Sequence, residues 1–133
     1  MRVVYDTSVL ATIVSRRDLI VQLQAAVTDG SVSLVTSLFI VNELERVLWA
    51  KFGMTKQGAK SRARLLARVA EVVHPEPIEQ ASRDANDDPI LATAITGHAA
   101  YIVTFDDDLL VLVEHQGIWI VTPDDFHEAL ARA

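Results

Sequence analysis

The 133-residue sequence predicts an α/β fold in which a central five-stranded parallel sheet is flanked by helices. Two observations carry this prediction. Short apolar segments alternate along the chain with longer segments of helical periodicity, as in successive strand-helix-strand units. The short segments are apolar throughout rather than at every second position, which is typical of strands that are buried on both faces of a parallel sheet.

In the first half of the chain, runs of β-branched residues predict strands, and apolar residues at helical spacing predict helices. Short polar residues after each strand provide helix caps, at Asp6-Thr7-Ser8 and at Thr36-Ser37. Gly30 and Gly53 mark the ends of two of the predicted helices. The expected elements are strands Arg2–Tyr5 and Val32–Val35 and helices Val9–Val14, Leu19–Val27, Leu38–Phe52 and Thr55–Ala70.

In the second half, Asp88-Pro89 marks a sharp helix start, because Pro is favoured at the first helical position and Asp is a good cap before it. We expect residues 1–133 to form one domain, since the chain has no linker, repeat or low-complexity segment. The expected elements are strands Val72–His74, Tyr101–Thr104 and Ile118–Val121 and helices Ile78–Ser82, Pro89–Ala99, Asp106–Val113 and Pro123–Ala131.

Composition excludes several classes of chemistry. The chain has no cysteine, which rules out disulfides, thiolate nucleophiles and zinc-thiolate sites. No apolar run approaches the roughly 20 residues of a membrane span, and no basic leader with an apolar core precedes the first strand. We therefore expect a cytoplasmic protein without a membrane partner. Phosphate-cradling loops, dinucleotide fingerprints and nucleophile elbows are also missing from the sequence.

Charge is unevenly distributed along the chain. The net charge is -6, yet the stretch from Arg46 to Arg68 holds seven basic residues and no acidic one. The expected helix Thr55–Ala70 lies in this stretch, with Leu65, Leu66 and Val69 as its packing face. Its basic residues have two interpretations, a solvated helix face or a contact with a phosphate backbone. In the second interpretation the contacts are Lys56, Lys60, Arg62, Arg64 and Arg68.

Four acidic residues are expected near one edge of the sheet: Asp6, Glu43, Asp88 and Asp106. Right-handed crossovers place the carboxyl ends of parallel strands, and the amino ends of the following helices, along the same edge. Glu43 lies about 9 Å beyond Ser37 at about 1.5 Å per helical residue, a distance that its side chain partly recovers. Each aspartate alone is equally well explained as a helix cap.

Taken together, these carboxylates favour a site for Mg²⁺ or Mn²⁺. We expect no Lys or Arg beside them to balance their charge, and we expect Glu43 to lean toward the apolar side of its helix, where burial raises a carboxylate pKa. An acidic metal site suits phosphodiester hydrolysis, because the ion both generates a nucleophile and stabilises charge on the reacting oxygens.

Four segments of the chain stand in an order typical of one known family. They are residues 3–10 (VVYDTSVL), 42–48 (NELERVL), 87–94 (DDPILATA) and 101–110 (YIVTFDDDLL). On these segments, which span nearly the whole chain, the sequence resembles the PIN-domain ribonucleases, especially the toxins of bacterial toxin-antitoxin pairs in the VapC-like and related groups. The resemblance implies a PIN-like fold and Mg²⁺- or Mn²⁺-dependent endonucleolytic cleavage of RNA. It also implies a homodimer and a cognate antitoxin protein that covers the active site.

The resemblance also assigns roles to individual residues. Asp6, Glu43, Asp88 and Asp106 correspond to the acidic quartet of the family, which is catalytic and holds the metal. Asp87 is an alternative third acid, Asp108 a further acid at the rim, and Glu45 a less favoured substitute for Glu43. The supporting hydroxyl residues are Thr7 or Ser8 and Thr104.

Two other functions remain open on the sequence. A PIN-like scaffold that binds RNA or protein without catalysis would use the same acids as helix caps only. A phosphatase or receiver domain with a phosphorylated aspartate is disfavoured, because Asp6-Thr7-Ser8 lacks a second Asp two residues on. The sequence also departs from the family at Phe105, where a Gly or polar residue is usual. This ring either narrows and reshapes the pocket or packs at the strand end, and we favour packing at the strand end.

Overall fold

The structure is a computed structural model that describes residues 1–78, 82–83, 85 and 88–133. Asp87, the alternative third acid, lies outside the described residues, as does most of the expected helix Ile78–Ser82. All statements about the arrangement of elements refer to the described part of the chain.

Most of the expected elements are present with bounds that shift by a few residues. The strands among the described residues are Arg2–Tyr5 (β1), Ser33–Ser37 (β2), Glu71–Val73 (β3), Tyr101–Val103 (β4), Glu114–His115 (β5) and Ile118–Val121 (β6). The helices are Thr7–Ser15 (α1), Arg17–Thr28 (α2), Leu38–Lys51 (α3), Lys56–Val69 (α4), Asp88–Thr96 (α5), Asp107–Leu110 (α6) and Pro123–Arg132 (α7).

The strands form one sheet in the order β3-β2-β1-β4-β6-β5. All neighbouring pairs are parallel except β5 and β6, which are antiparallel. The predicted α/β fold with five parallel strands and flanking helices is therefore confirmed, and the short β5 is an addition at one edge. Gln116 and Gly117 both have positive φ values, of 52° and 83°, which is the backbone of a tight two-residue hairpin turn.

Helices cover both faces of the sheet. On one face, the ring of Phe126 in α7 contacts Tyr5 and Tyr101, with ring centroids 6.0 and 5.4 Å apart. On the other face, the chain approaches β2 closely just after α5 ends, because a Cβ added at Gly97 would lie 2.4 Å from Cγ1 of Val35. Between the layers lie the fully buried side chains that form the core, among them Val3, Val4, Leu10, Leu34, Leu91 and Ile102.

Two helices differ from expectation. The buried face of α4 consists of Ala59, Ala63 and Leu66, whereas Leu65 and Val69 are exposed, so the predicted packing face was wrong in two of its three positions. Alanines form most of this face, and their small side chains give a weaker apolar signal in the sequence than Leu65 and Val69 do. The helix expected over Asp106–Val113 is shorter and ends at Leu110.

Among the helices that the structure describes, none has the length and apolar character that a membrane span requires.

Candidate active site

Asp6 lies where β1 ends and α1 begins. Its backbone N–H donates to the carbonyl of Val103 at 2.9 Å, which ties it to β4, and its Oδ1 accepts from the N–H of Thr7 at 2.7 Å. The side chain of Asp6 thus caps α1 while remaining in the carboxyl edge of the sheet. Thr7 supports Asp6 through its backbone, and Ser8 is exposed one residue further on.

Thr104 connects Asp6 to the second aspartate of the site. It is fully buried directly after β4, and its hydroxyl donates to Oδ2 of Asp6 at 2.8 Å. The same hydroxyl accepts from the N–H of Asp106 at 2.9 Å. One side chain therefore holds both the carboxylate of Asp6 and the backbone of Asp106.

Asp106 caps the short helix α6. Its Oδ1 accepts from the N–H of Asp108 at 2.9 Å. Asp108 is in the first turn of α6 and pairs with Arg83, with 2.7 Å between Nη2 and Oδ1. Arg83 also donates to the carbonyl of Asp107 at 3.4 Å.

The carboxyl group of Asp6 is the electrostatically perturbed group of the site. Burial raises its pKa above the ordinary value, and the negative charge of Asp106 acts in the same direction. The hydrogen bonds from Thr104 and Thr7 oppose this without cancelling it. The surroundings therefore disfavour the anionic form of Asp6, and a cation beside Asp6 and Asp106 would stabilise that form.

Glu43 is placed differently from expectation. Its side chain is 36 % exposed and pairs with Arg46 on the same helix, with 2.8 Å between Oε2 and Nη2. This hydrogen bond lowers the pKa of Glu43. The expected rise in pKa and the expected absence of a neighbouring arginine were both wrong, because Arg46 is three residues further along α3 and lies on the same side of the helix. Glu45 is partly buried on α3.

Asp88 is the first residue of α5, and its Oδ1 accepts from the N–H of Ser82 at 3.2 Å. The hydroxyl of the buried Ser82 reaches the carbonyl of Asp108 at 3.4 Å. Ser82 therefore ties the start of α5 to α6, the helix that Asp106 caps. Sequence reasoning missed the roles of Ser82 and Arg83, since both depend on tertiary contacts.

The structure does not bring all four predicted acids together. Asp6 and Asp106 are brought together by Thr104, but no three acidic or histidine side chains in residues 1–78, 82–83, 85 and 88–133 converge closely enough to hold a metal ion. The pair still fits Mg²⁺, because this ion takes one or two carboxylates and retains several waters. Glu43 and Asp88 lie on elements that start at the same edge and are bound to other partners.

The basic helix α4 contacts the far ends of two helices that start at this edge. Arg62 donates to the carbonyl of Val14 at 3.2 Å, and Val14 is about 12 Å along α1 from Asp6. The ammonium of Lys56 lies 4.6 Å from the ring centroid of Trp49, near the carboxyl end of α3. The first half of α4, which carries three of the five predicted backbone contacts, is thus beside the ends of α1 and α3 that are remote from the acids.

An apolar groove with a volume of about 550 Å³ adjoins the acidic edge. Its walls come from α1, α2 and α7, and Tyr5 and Phe105 contribute at the end of their strands. Phe105 is 54 % exposed, so the expectation that its ring packs at the strand end was wrong. The ring instead lines the groove.

Comparison with known families identifies the family of the chain. A family model described as "PIN domain" covers residues 2–108, which is most of the chain and includes every element from β1 to the first residues of α6. PIN domains are usually nucleases and typically use divalent metal ions. A comparison with curated proteins finds no match.

Proposed function

Because the chain belongs to the PIN domain family, we propose that it is a Mg²⁺- or Mn²⁺-dependent endoribonuclease that hydrolyses RNA phosphodiester bonds. The observation that supports this most is the pair of carboxylates, Asp6 and Asp106, that the buried hydroxyl of Thr104 holds at the carboxyl edge of the sheet. A protein that used these residues only as helix caps would gain nothing from placing their charges close enough to disfavour ionisation of Asp6.

In this proposal Asp6 and Asp106 hold the ion directly. Asp88, Glu43 and Asp108, which are bound to other partners, would add negative charge around it. When bound, the ion supplies charge stabilisation on the reacting phosphodiester and a nucleophile at neutral pH.

The residues of the chain provide the positioning. The hydroxyl of Thr104 fixes one oxygen of Asp6, and the N–H of Thr7 fixes the other, so the carboxylate cannot rotate away from the edge. Two contacts hold Asp106 in place. Its backbone N–H donates to the hydroxyl of Thr104, and its carboxylate caps α6. Such preorganisation lowers the cost of arranging ligands and water for in-line attack.

The proposal extends to biological context. We propose that the protein acts as the toxin of a toxin-antitoxin pair, that it forms a homodimer, and that its cognate antitoxin protein binds over the acidic edge. The apolar groove of about 550 Å³ supports an antitoxin contact, because Phe105 and Tyr5 link the groove to the acids. Co-expression with the product of the adjacent reading frame tests this: a stable complex with suppressed cleavage is expected, and free, fully active enzyme would refute it.

Cleavage of labelled RNA tests the enzymatic proposal. Asp6→Asn should abolish Mg²⁺- or Mn²⁺-dependent cleavage, whereas Asp124→Asn, at an exposed aspartate in the first turn of α7, should cleave as the wild type does. EDTA should stop cleavage by both active proteins. Undiminished cleavage by the Asp6 variant would refute the assignment.

A catalytically inactive PIN-like module that binds RNA or protein is the second candidate. It is favoured by one observation, the lack of any three converging metal-ligand side chains in the described residues. Calorimetric titration of the wild type with Mn²⁺ separates the two. A binding event that Asp6→Asn removes supports the nuclease, while RNA binding without Mn²⁺ binding or cleavage supports the inactive module.

A further inference from the structure

Two arginines are each held by a carboxylate of the proposed site. Arg46 presents its guanidinium edge to Glu43, with 2.8 Å from Nη2 to Oε2 and 3.4 Å from Nε to Oε1. Arg83 pairs with Asp108 at 2.7 Å. Both guanidinium groups remain accessible, with side-chain exposures of 53 % and 59 %.

Asp6 follows β1, and the two arginines lie by helices that follow the strands on either side of β1. Arg46 belongs to α3, the helix that follows β2. Its guanidinium reaches back along this helix to Glu43, which is nearer the acidic edge. Arg83 is next to Ser82, whose contacts reach Asp88 and α6. Arg46 is therefore on the helix that follows β2, and Arg83 is beside α6, which follows β4 on the other side of β1.

We propose that Arg46 and Arg83 bind the RNA phosphates on the two sides of the scissile bond, and that Glu43 and Asp108 hold them in position until RNA arrives. An acidic edge in a protein of net charge -6 repels RNA, so cationic contacts are needed close to the cleavage point. The planar guanidinium fork accepts a phosphate in the same bidentate manner as a carboxylate. The proposal rests on the proposed ribonuclease function.

The basic helix α4 is a less suitable source of these contacts. Its residue Arg62 is engaged with the carbonyl of Val14, and Lys56 stacks over Trp49, both at helix ends remote from the acids. Half-exposed ion pairs such as those of Arg46 and Arg83 are individually weak and exchange readily for another anion. Arg46 and Arg83, by contrast, are paired directly with acidic residues of the proposed site, Glu43 and Asp108.

Salt-dependent RNA binding tests the proposal. The probe is a short fluorescein-labelled single-stranded RNA in Ca²⁺ buffer, with a denaturing gel to check that it stays intact. Arg46→Gln and Arg83→Gln should each weaken binding about tenfold and reduce the slope of log K against log salt concentration by about 0.7, the value for one lost contact with a single strand. Arg46→Lys, which keeps the charge but loses the fork, should weaken binding less.

Arg132→Gln is the matched control, because Arg132 forms a similar surface pair with Glu128 on α7, away from the acids. It should bind RNA with wild-type affinity and slope. Calorimetric titration with Mn²⁺ separates phosphate binding from structural damage. Arg46→Gln should retain or increase Mn²⁺ affinity, since Glu43 is released from its partner, whereas a distorted site would lose it.

Three results would overturn the proposal. The first is wild-type RNA affinity and salt slope in both arginine variants. The second is a parallel loss of Mn²⁺ and RNA binding in those variants, which would make the arginines structural. The third is a reduced slope for Lys60→Gln and not for the arginine variants, which would assign the backbone contact to α4. A wild type that neither binds nor cleaves RNA would instead remove the proposed function itself.

Discussion

Replacing Thr104 by valine removes the hydroxyl that joins Asp6 to Asp106 while preserving the shape of the side chain. Two hydrogen bonds are lost, one to the Oδ2 of Asp6 at 2.8 Å and one from the N–H of Asp106 at 2.9 Å. A bond to a charged group contributes about 1.5–3 kcal/mol, and a buried N–H left without a partner costs about 1–3 kcal/mol. Because Thr104 is fully buried, water cannot replace the hydroxyl, and we expect the free energy of unfolding to fall by about 2–4 kcal/mol.

Urea denaturation of the metal-free protein measures this change. Thr104→Ser is the matched control, since it keeps the hydroxyl and loses one buried methyl group, at a cost of about 1 kcal/mol. Mn²⁺ affinity, measured by calorimetry, should fall in the valine variant and persist in the serine variant. A valine variant whose free energy of unfolding and Mn²⁺ affinity both match the wild type would refute the bridging role of Thr104.

Three further perturbations follow from the same contacts. Burial raises the pKa of Asp6 above its unfolded-state value, so the stability that the protonated group contributes is fully present below the unfolded pKa and is lost as pH rises through the folded pKa. In EDTA, the melting temperature of the wild type relative to that of Asp6→Asn should therefore fall as pH rises through the folded pKa of Asp6, and a difference that does not vary with pH would contradict this. Gly97→Ala should lower the free energy of unfolding by about 1–3 kcal/mol, measured in urea, because the new Cβ would lie 2.4 Å from Val35. Thr93→Val should cost about 1–3 kcal/mol by the same assay, because it leaves the buried hydroxyl of Ser37 without its partner at 2.9 Å, and Thr93→Ser should restore most of it.

The parallel sheet could be predicted because each of its main strands is a short β-branched run followed by a capping residue. The added strand β5 could not, since it has only two residues and its turn is Gln116-Gly117 rather than the Asn-Gly or Asp-Gly that signals such a hairpin. The early end of α6 was equally hidden. Val113 has a φ of 63°, a left-handed conformation that is rare for a β-branched residue and that only the surrounding structure imposes.

The central pair of acids could be predicted because Asp6 and the segment of Asp106 follow β1 and β4, which are neighbours in the sheet. Helical periodicity predicts the side of α3 on which Glu43 lies. It does not predict how much of the Glu43 side chain is buried, because burial depends on how α3 packs against its neighbours. The partner Arg46 is visible in the sequence at a spacing of three residues, whereas the pairing of Arg83 with Asp108 requires the fold to bring distant segments together.

The contrast between Asp6 and Glu43 suits the two acids to different roles in the proposed function. A carboxylate that burial and a like charge both destabilise gains much from a bound cation, because the ion removes a penalty that the fold already bears. Glu43 is exposed and already paired with Arg46, so an ion would have to displace a favourable contact to bind it directly. The same chain thus provides one carboxylate suited to hold a metal and another suited to hold an arginine. An acidic edge built in this way can attract a divalent cation at its centre and a polyanion at its rim.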